Sequence, residues 1–230
     1  VSQSMPSGIL QPKQLSNHIA ERIRADILGG VRHPGEFLRL DEVAQQLGVS
    51  VTPVREALMG LSVEGFVRHA ERRGFIVSAL KRGDLEDLYT LLAEVSGRLT
   101  ERAASAATPH DLEQLEIVHN RMIRAAELED FENVERANDE FHRIINRAAD
   151  SAKLAWILLS ILKYVPTRFY ANITGLTNML IEQHGNILEA IKGQDPKAAY
   201  EAMYEHEKLA MREVIENLER RGIFELEPQE

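Results

Sequence analysis

From Lys81 onward the chain carries no strand signal. Apolar residues return every three or four positions, the period of a helix with one buried face. The pattern breaks only at Thr108-Pro109, Asp150-Ser151, Gly175 and Gly193-Gln194-Asp195-Pro196. These breaks predict helices near 83–106, 109–129, 131–148, 151–172, 176–193 and 195–220. Thr108 and Asp195 each offer a side-chain acceptor ahead of a proline, which is tolerated at the first helical position. Pro166 falls inside the fourth of these helices and predicts a kink. Long helices joined by such short connections must fold back on one another as an antiparallel bundle.

The first 80 residues read differently. "LSNHIAERIRADILGG" is helical, with Leu15, Ile19, Ile23 and Ile27 at i+4 and a double glycine as its stop. "VRHPGEFL" is a turn entering a short extended piece. "LDEVAQQLG" is a short helix that Asp41 can cap, and "SVTPVREALMGLSVEG" is a second with Val54, Leu58 and Leu61 as its apolar stripe. "FVRHAERRGFIVSAL" places β-rich stretches at 66–69 and 75–78 around a polar turn, the mark of a hairpin. Three segments are expected: a flexible arm over 1–14, a first domain over 15–80 and an all-helical domain over 81–230.

Charge follows the same division. The chain has a formal net charge of −9, yet residues 1–80 hold 9 Lys+Arg against 8 Asp+Glu, so the acidity belongs to the remainder. A nucleic acid would therefore meet a local surface of the first domain and not a general basic field. There is no cysteine, which excludes disulfides and thiolate metal sites and fits a reducing, cytoplasmic setting. No apolar run reaches the roughly 20 residues of a membrane span, and the first residues lack the basic flank and apolar core of a secretory signal.

Helix, glycine turn, helix and hairpin make a winged helix-turn-helix. Its second helix must offer its first turn to the major groove. Ser50 or Thr52 can cap that turn, and Pro53 fits inside it because its missing N–H has no helical partner there. An ordinary capped helix in a small core would share these features. The spacing goes further. Pro34-Gly35, Leu47-Gly48-Val49-Ser50, Thr52-Pro53-Val54-Arg55-Glu56-Ala57-Leu58, Leu61, Glu64-Gly65 and Arg73-Gly74 resemble the winged helix-turn-helix of the GntR family of bacterial transcription regulators, over roughly residues 15–80. The helical remainder resembles the FCD effector domain of the family's fatty-acid-regulator-like branch. The fold expected is thus mainly α: an N-terminal winged helix-turn-helix followed by an antiparallel all-helical bundle. The resemblance implies a homodimeric regulator, a repressor, bound to double-stranded operator DNA through Ser50, Thr52, Pro53, Arg55, Arg72, Arg73 and Gly74. One position departs from it. Val51 stands where the family usually has arginine, so the relatives' operator sequence does not carry over.

Three histidines of the helical region lie on apolar stripes of separate helices. His142 is flanked by Phe141, Ile144 and Ile145, with Asn138 one turn earlier. His184 sits in the stripe of Thr177, Leu180, Ile181, Ile187, Leu188 and Ile191, and His206 shares a face with Ala199, Met203 and Ala210. Residues at i and i+4 stack on one face. These are either satisfied core histidines or a metal site, since imidazole is a common ligand of zinc and nickel. The resemblance favours the second, because many members of the branch hold a metal with an Asp or Asn and three histidines in this order, here Asn138, His142, His184 and His206. It also implies a small carboxylate effector at the metal. Relatives clamp such a ligand with an arginine and a glutamate four residues later, where this chain has Leu92 and Ser96. Arg98, Tyr164 and Arg168 are the substitutes the sequence offers. Three alternatives stand beside the ligand-responsive regulator: a metal-responsive regulator, a metal-dependent hydrolytic enzyme and a structural helical module with core histidines.

Overall fold

The computed structural model describes residues 12–71, 73–165, 176–220 and 224. It divides into two compact units, one of residues 1–81 with 219–230 and one of residues 82–218.

The first unit begins with α1 (Pro12–Leu28). The helix starts three residues before the expected 15, so residues 12–14 are helical and not part of an arm. Ile19, Ile23 and Ile27 are buried along one stripe. β1 (Phe37–Leu38), α2 (Leu40–Leu47), α3 (Val51–Val63), β2 (Val67–Ala70) and β3 (Gly74–Val77) follow. The strands form one antiparallel sheet in the order β1-β3-β2, with Val67 opposite Val77 and Leu38 opposite Phe75. The hairpin strands are each shifted one residue from the expected 66–69 and 75–78.

Asp41 does not cap α2. Arg39 occupies the cap position without a side-chain bond, and Asp41 lies in the first turn. There its carboxylate faces the positive end of the helix dipole, a favourable place that needs no cap geometry. Gly48 ends α2 in the left-handed conformation at φ 67°. Ser50 is the backbone cap of α3, with extended φ/ψ, although its side chain makes no cap hydrogen bond, and Thr52 is already helical. Pro53, Val54, Ala57, Leu58 and Leu61 are buried and hold α3 in the core. Arg24 of α1 pairs with Glu64 at 2.6 Å just past the end of α3.

The second unit is helical throughout its described residues: α4 (Arg82–Ala106), α5 (Pro109–Glu127), α6 (Phe131–Ala148), α7 (Ala152–Ile161), a 3-10 turn over 162–164, α8 (Leu176–Lys192) and α9 (Pro196–Arg220). α4 packs on α6, α7 and α8, and α5 packs on α6 and α8. Thr108 and Asp111 close a capping box at the start of α5. Asp130 accepts from the Asn133 N–H at 3.2 Å to start α6, and Asp195 accepts from the Ala198 N–H at 3.0 Å to start α9. Each such cap is worth about 1 kcal/mol. No helix among the described residues is long and apolar enough to cross a membrane.

The expected helix over 151–172 is shorter than its pattern. α7 stops at Ile161, the 3-10 turn follows, and Val165 is extended at φ −87°, ψ 123°. The cause is Pro166, whose ring disfavours helical geometry at the residue before it. Pro166 itself lies outside the described residues.

Candidate metal centre and nucleic-acid interface

The exposed edge of the first unit is built around α3. Its buried stripe turns Ser50, Thr52, Arg55 and Met59 outward, while Pro53 faces the core. Pro53 therefore shapes the helix start and does not reach out to DNA. Val51 is half-buried at the first helical position. Arg55 shares a groove of about 560 Å³ with Met59, Val63, His69, Gly74 and Phe75. One wall is α3 and the other is the hairpin, so recognition helix and wing present one continuous surface. His69 stands edge-on to Phe75 with ring centroids 5.4 Å apart. Arg73 lies over the Phe37 ring at 5.7 Å and is exposed. Arg72 lies outside the described residues. Gly74 has a second reason to be glycine: its φ is 93°, and a Cβ would meet the Leu38 carbonyl oxygen at 2.6 Å. Its backbone role in the sheet is thus fixed by geometry, whatever it does at DNA.

In the second unit α6, α8 and α9 bring His142, His184 and His206 together. One ligand nitrogen of each lies within 4.8 Å of the others. The Nε2 atoms of His184 and His142 are 3.3 Å apart. The Nδ1–H of His184 donates to the Leu180 carbonyl at 2.6 Å. That bond assigns the ring proton to Nδ1 and leaves the Nε2 lone pair facing the other two rings, the arrangement a metal-binding imidazole takes. His206 is only 4% exposed, and its Nδ1 has no hydrogen-bond partner. Core histidines normally satisfy their buried nitrogens, so this orphan fits an ion better than it fits simple packing.

Burial sets the charge state. It pushes His142 down to about 4 and His184 to about 3, the latter helped by nearby His142, and it holds His206 well below its usual range. All three rings are neutral at ordinary pH, the form that coordinates a metal.

Beside the histidines is a cavity of about 410 Å³. Asn138, one turn before His142 on α6, lines it together with His142 and His206. Leu158, Leu159, Leu162 and Val165 form its apolar wall. Leu92 and Ser96 of α4 also line it, so these two positions face the cavity but carry no charge. Glu135, Asp139, Arg143, Asn146 and Glu207 are further polar residues of the lining. The sequence reading missed Glu207, because "EHEKL" looks like a solvated charge run. Its carboxyl is buried, bonded to Ser96, and pushed up to about 7 by that burial.

Of the three substitutes for the carboxylate clamp, the two that are described do not line this cavity. Arg98 is exposed, bonded to Glu101 at 2.9 Å and stacked over the Tyr200 ring at 4.9 Å. Tyr164 sits in the 3-10 turn and is not among the cavity's lining residues. Arg168 lies outside the described residues. Among the described residues, Arg143 is the guanidinium that lines the cavity. His119 bonds through its Nε2 to the Ile181 carbonyl at 3.1 Å.

Comparison with known proteins agrees with both halves. Residues 15–77 match the family model of bacterial regulatory proteins of the gntR family, and residues 87–209 match the FCD domain. The chain is 29% identical over 201 residues to the HTH-type transcriptional repressor RspR of Escherichia coli K12, covering 86% of this chain and 88% of that protein. It is 29% identical over 194 residues to the probable D-xylose utilization operon transcriptional repressor of Paenarthrobacter nicotinovorans, covering 84% and 85%. The solved structure of E. coli McbR/YncC shares the fold, with a TM-score of 0.71 at 22% identity over 88% of this chain and 98% of that one. These relatives are regulators and not enzymes, which removes the hydrolytic alternative. With a DNA-reading edge on its first unit and this helical second unit, the chain belongs to the GntR family of bacterial transcription regulators, with a C-terminal FCD domain.

Proposed function

We propose that this regulator is a homodimeric repressor whose hold on operator DNA is controlled by a small molecule bound beside a divalent metal, zinc or nickel, in the helical unit. The observation that carries the reading is the histidine trio. Three neutral imidazoles from three helices converge beside a cavity large enough for a small ligand, and two of them, His142 and His206, line it. His142, His184 and His206 would hold the ion, with Asn138 as a weaker, uncharged fourth ligand. The ion supplies a Lewis-acidic centre with room for an oxygen of the effector. A small organic acid is the effector class that the resemblance implies.

The rest of the mechanism belongs to the chain. α3 offers Ser50, Thr52 and Arg55 to the major groove, and the wing adds Arg73 and His69. Two-fold symmetry would bring two α3 helices to half-sites ~34 Å apart. α7 has a double role that suits control. It walls the cavity with Leu158 and Leu159, while Trp156 on the same helix is 67% exposed, an apolar ring suited to a second copy of this chain. A ligand that favours one setting of α7 would shift the dimer between states by its difference in affinity for them.

The test is to purify the protein without chelator and measure metal per chain, mass of the assembly and operator binding with and without added ligands. One divalent ion per chain in a dimer supports the reading. Protein that never binds metal overturns it. Operator release driven by metal alone would favour the metal-responsive regulator.

A further inference from the structure

We infer that His69 of the wing grips a phosphate of the DNA backbone and takes up a proton as it does so, which makes the DNA affinity of this regulator rise as pH falls. The inference rests on the proposed docking of α3 and the wing on one duplex, and it gives His69 a chemical role there.

His69 lies on β2, the outer strand of the sheet, opposite Phe75 of β3. Side chains alternate along a strand. Arg68 therefore takes the other face, while His69 lines the groove whose second wall is Arg55, Met59 and Val63 of α3. With α3 in the major groove and the wing beside it, the space between them falls to the sugar-phosphate backbone. The groove fits that occupant. Leu40, Met59, Val63 and Phe75 offer apolar surface to deoxyribose, and Arg55 and His69 bring donors to its two sides.

Pairing sets these two apart. Arg22, Arg24, Arg32 and Arg39 of the same unit each hold a carboxylate. The exposed His18 and His110 each stand within 4 Å of a glutamate. Among the described residues no carboxylate pairs with Arg55 or His69, and the His69 ring meets only Phe75, edge-on. A donor surface left without its own acids is complementary to phosphate.

The proton follows from the chemistry of the ring. A neutral imidazole has one N–H and one lone pair, whereas imidazolium donates from both nitrogens and carries a charge. Of the elements that face His69, α3 presents Arg55, which stays charged, α2 presents Leu40, and β3 presents Gly74 and Phe75. On its own hairpin Arg68 points away and Glu71 lies in the exposed turn. No group there competes for the proton. A phosphate seated in the groove adds a negative charge beside the ring, which favours the charged form, and imidazole changes charge between about pH 5 and 8.

The experiment is fluorescence anisotropy of full-length protein on a duplex that the wild type has selected from a random-sequence pool, at pH 6, 7 and 8 and three salt concentrations. Wild-type affinity should rise about tenfold from pH 8 to pH 6, the effect of one linked proton. Its dependence of log affinity on log salt should be steeper by about 0.9 at pH 6, the effect of one more phosphate contact. His69→Gln keeps a donor but no charge, and should lose most of the rise and show one slope at both pH values. His69→Arg, always charged, should show the steep slope already at pH 8 and lose the pH response. Metal content also varies with pH, but equally in the three proteins, so the comparison removes it. A pH response in His69→Gln equal to that of wild type overturns the inference. Three proteins alike in affinity and slope overturn it too and leave the groove to another occupant, such as a polypeptide segment. Wild type that selects no duplex overturns the docking reading as well.

Discussion

His142 and His184, on α6 and α8 and 42 residues apart in the chain, bring their Nε2 atoms to 3.3 Å. Because His184 commits its other nitrogen to the Leu180 carbonyl, the close pair has only two chemical solutions. His142 donates a proton to His184, or both lone pairs meet one ion. The third ring, with its centroid 4.4 Å from that of His184, makes the second solution the better use of the space.

Metal content is therefore the first expectation. Wild-type protein should carry one divalent ion per chain, and His142→Ala, His184→Ala and His206→Ala should each lose most of it. Asn138→Asp should hold the ion more tightly by adding a negative charge. Elemental analysis of the five proteins decides this. Equal metal in wild type and all three alanine variants would place the ion elsewhere.

The metal-free protein should lose stability in acid. Unfolded histidine takes up its proton near 6.5, whereas in the fold His142 does so only near 4 and His184 near 3. Between those values the unfolded chain binds more protons, so stability is full above about pH 6.5 and falls as pH drops below it. At pH 5 each histidine costs at most about 2 kcal/mol. Urea midpoints of chelated protein at pH 8, 6.5 and 5 should decline, and the decline should shrink in His184→Ala.

Glu207 acts in the opposite sense. Its folded value is raised from 4.5 to about 7, so the fold holds the proton more tightly and stability is lost as pH rises through that interval. Glu207→Gln should be more stable than wild type at pH 8 without metal, by up to about 3 kcal/mol, and nearly equal to it at pH 4.5. A variant less stable at both pH values would show that the carboxylate itself is needed in the core.

At the DNA edge, Arg55→Ala should weaken specific operator binding by about 1–3 kcal/mol, the worth of one good base contact, with thermal stability unchanged because Arg55 is exposed. Val51→Arg should steepen the dependence of log affinity on log salt by about 0.9, the effect of one added phosphate contact. Binding measured at three salt concentrations separates the two. An unaltered slope would mean that residue 51 does not face the duplex.

Gly74→Ala should damage the wing before it touches DNA. The alanine would need a left-handed φ near 93° and would press on the Leu38 carbonyl. A stability loss of about 1–3 kcal/mol is expected, read as a lower melting temperature in the absence of DNA. An unchanged melting temperature with weaker operator binding would assign Gly74 to the interface instead.

The sequence by itself determined the local structure. Periodicity, capping residues and glycine or proline stops act within a few positions, so the helices, the hairpin and the breaks at Thr108-Pro109 and Asp195-Pro196 were readable from residue order. Even the histidine stripe was readable, because a helix turns i and i+4 to one side. What the sequence could not decide was which stripes meet. That His142, His184 and His206 share one point depends on how α6, α8 and α9 cross, and packing fixes that only when the whole core is filled. The same holds for Glu207 and Arg98. Glu207 sits in a charged stretch that looks solvent-facing, yet packing buries it against Ser96, while Arg98, which the sequence offered as a ligand clamp, is left outside on Tyr200. Their roles are set by neighbours distant in the chain, and no local pattern records those neighbours.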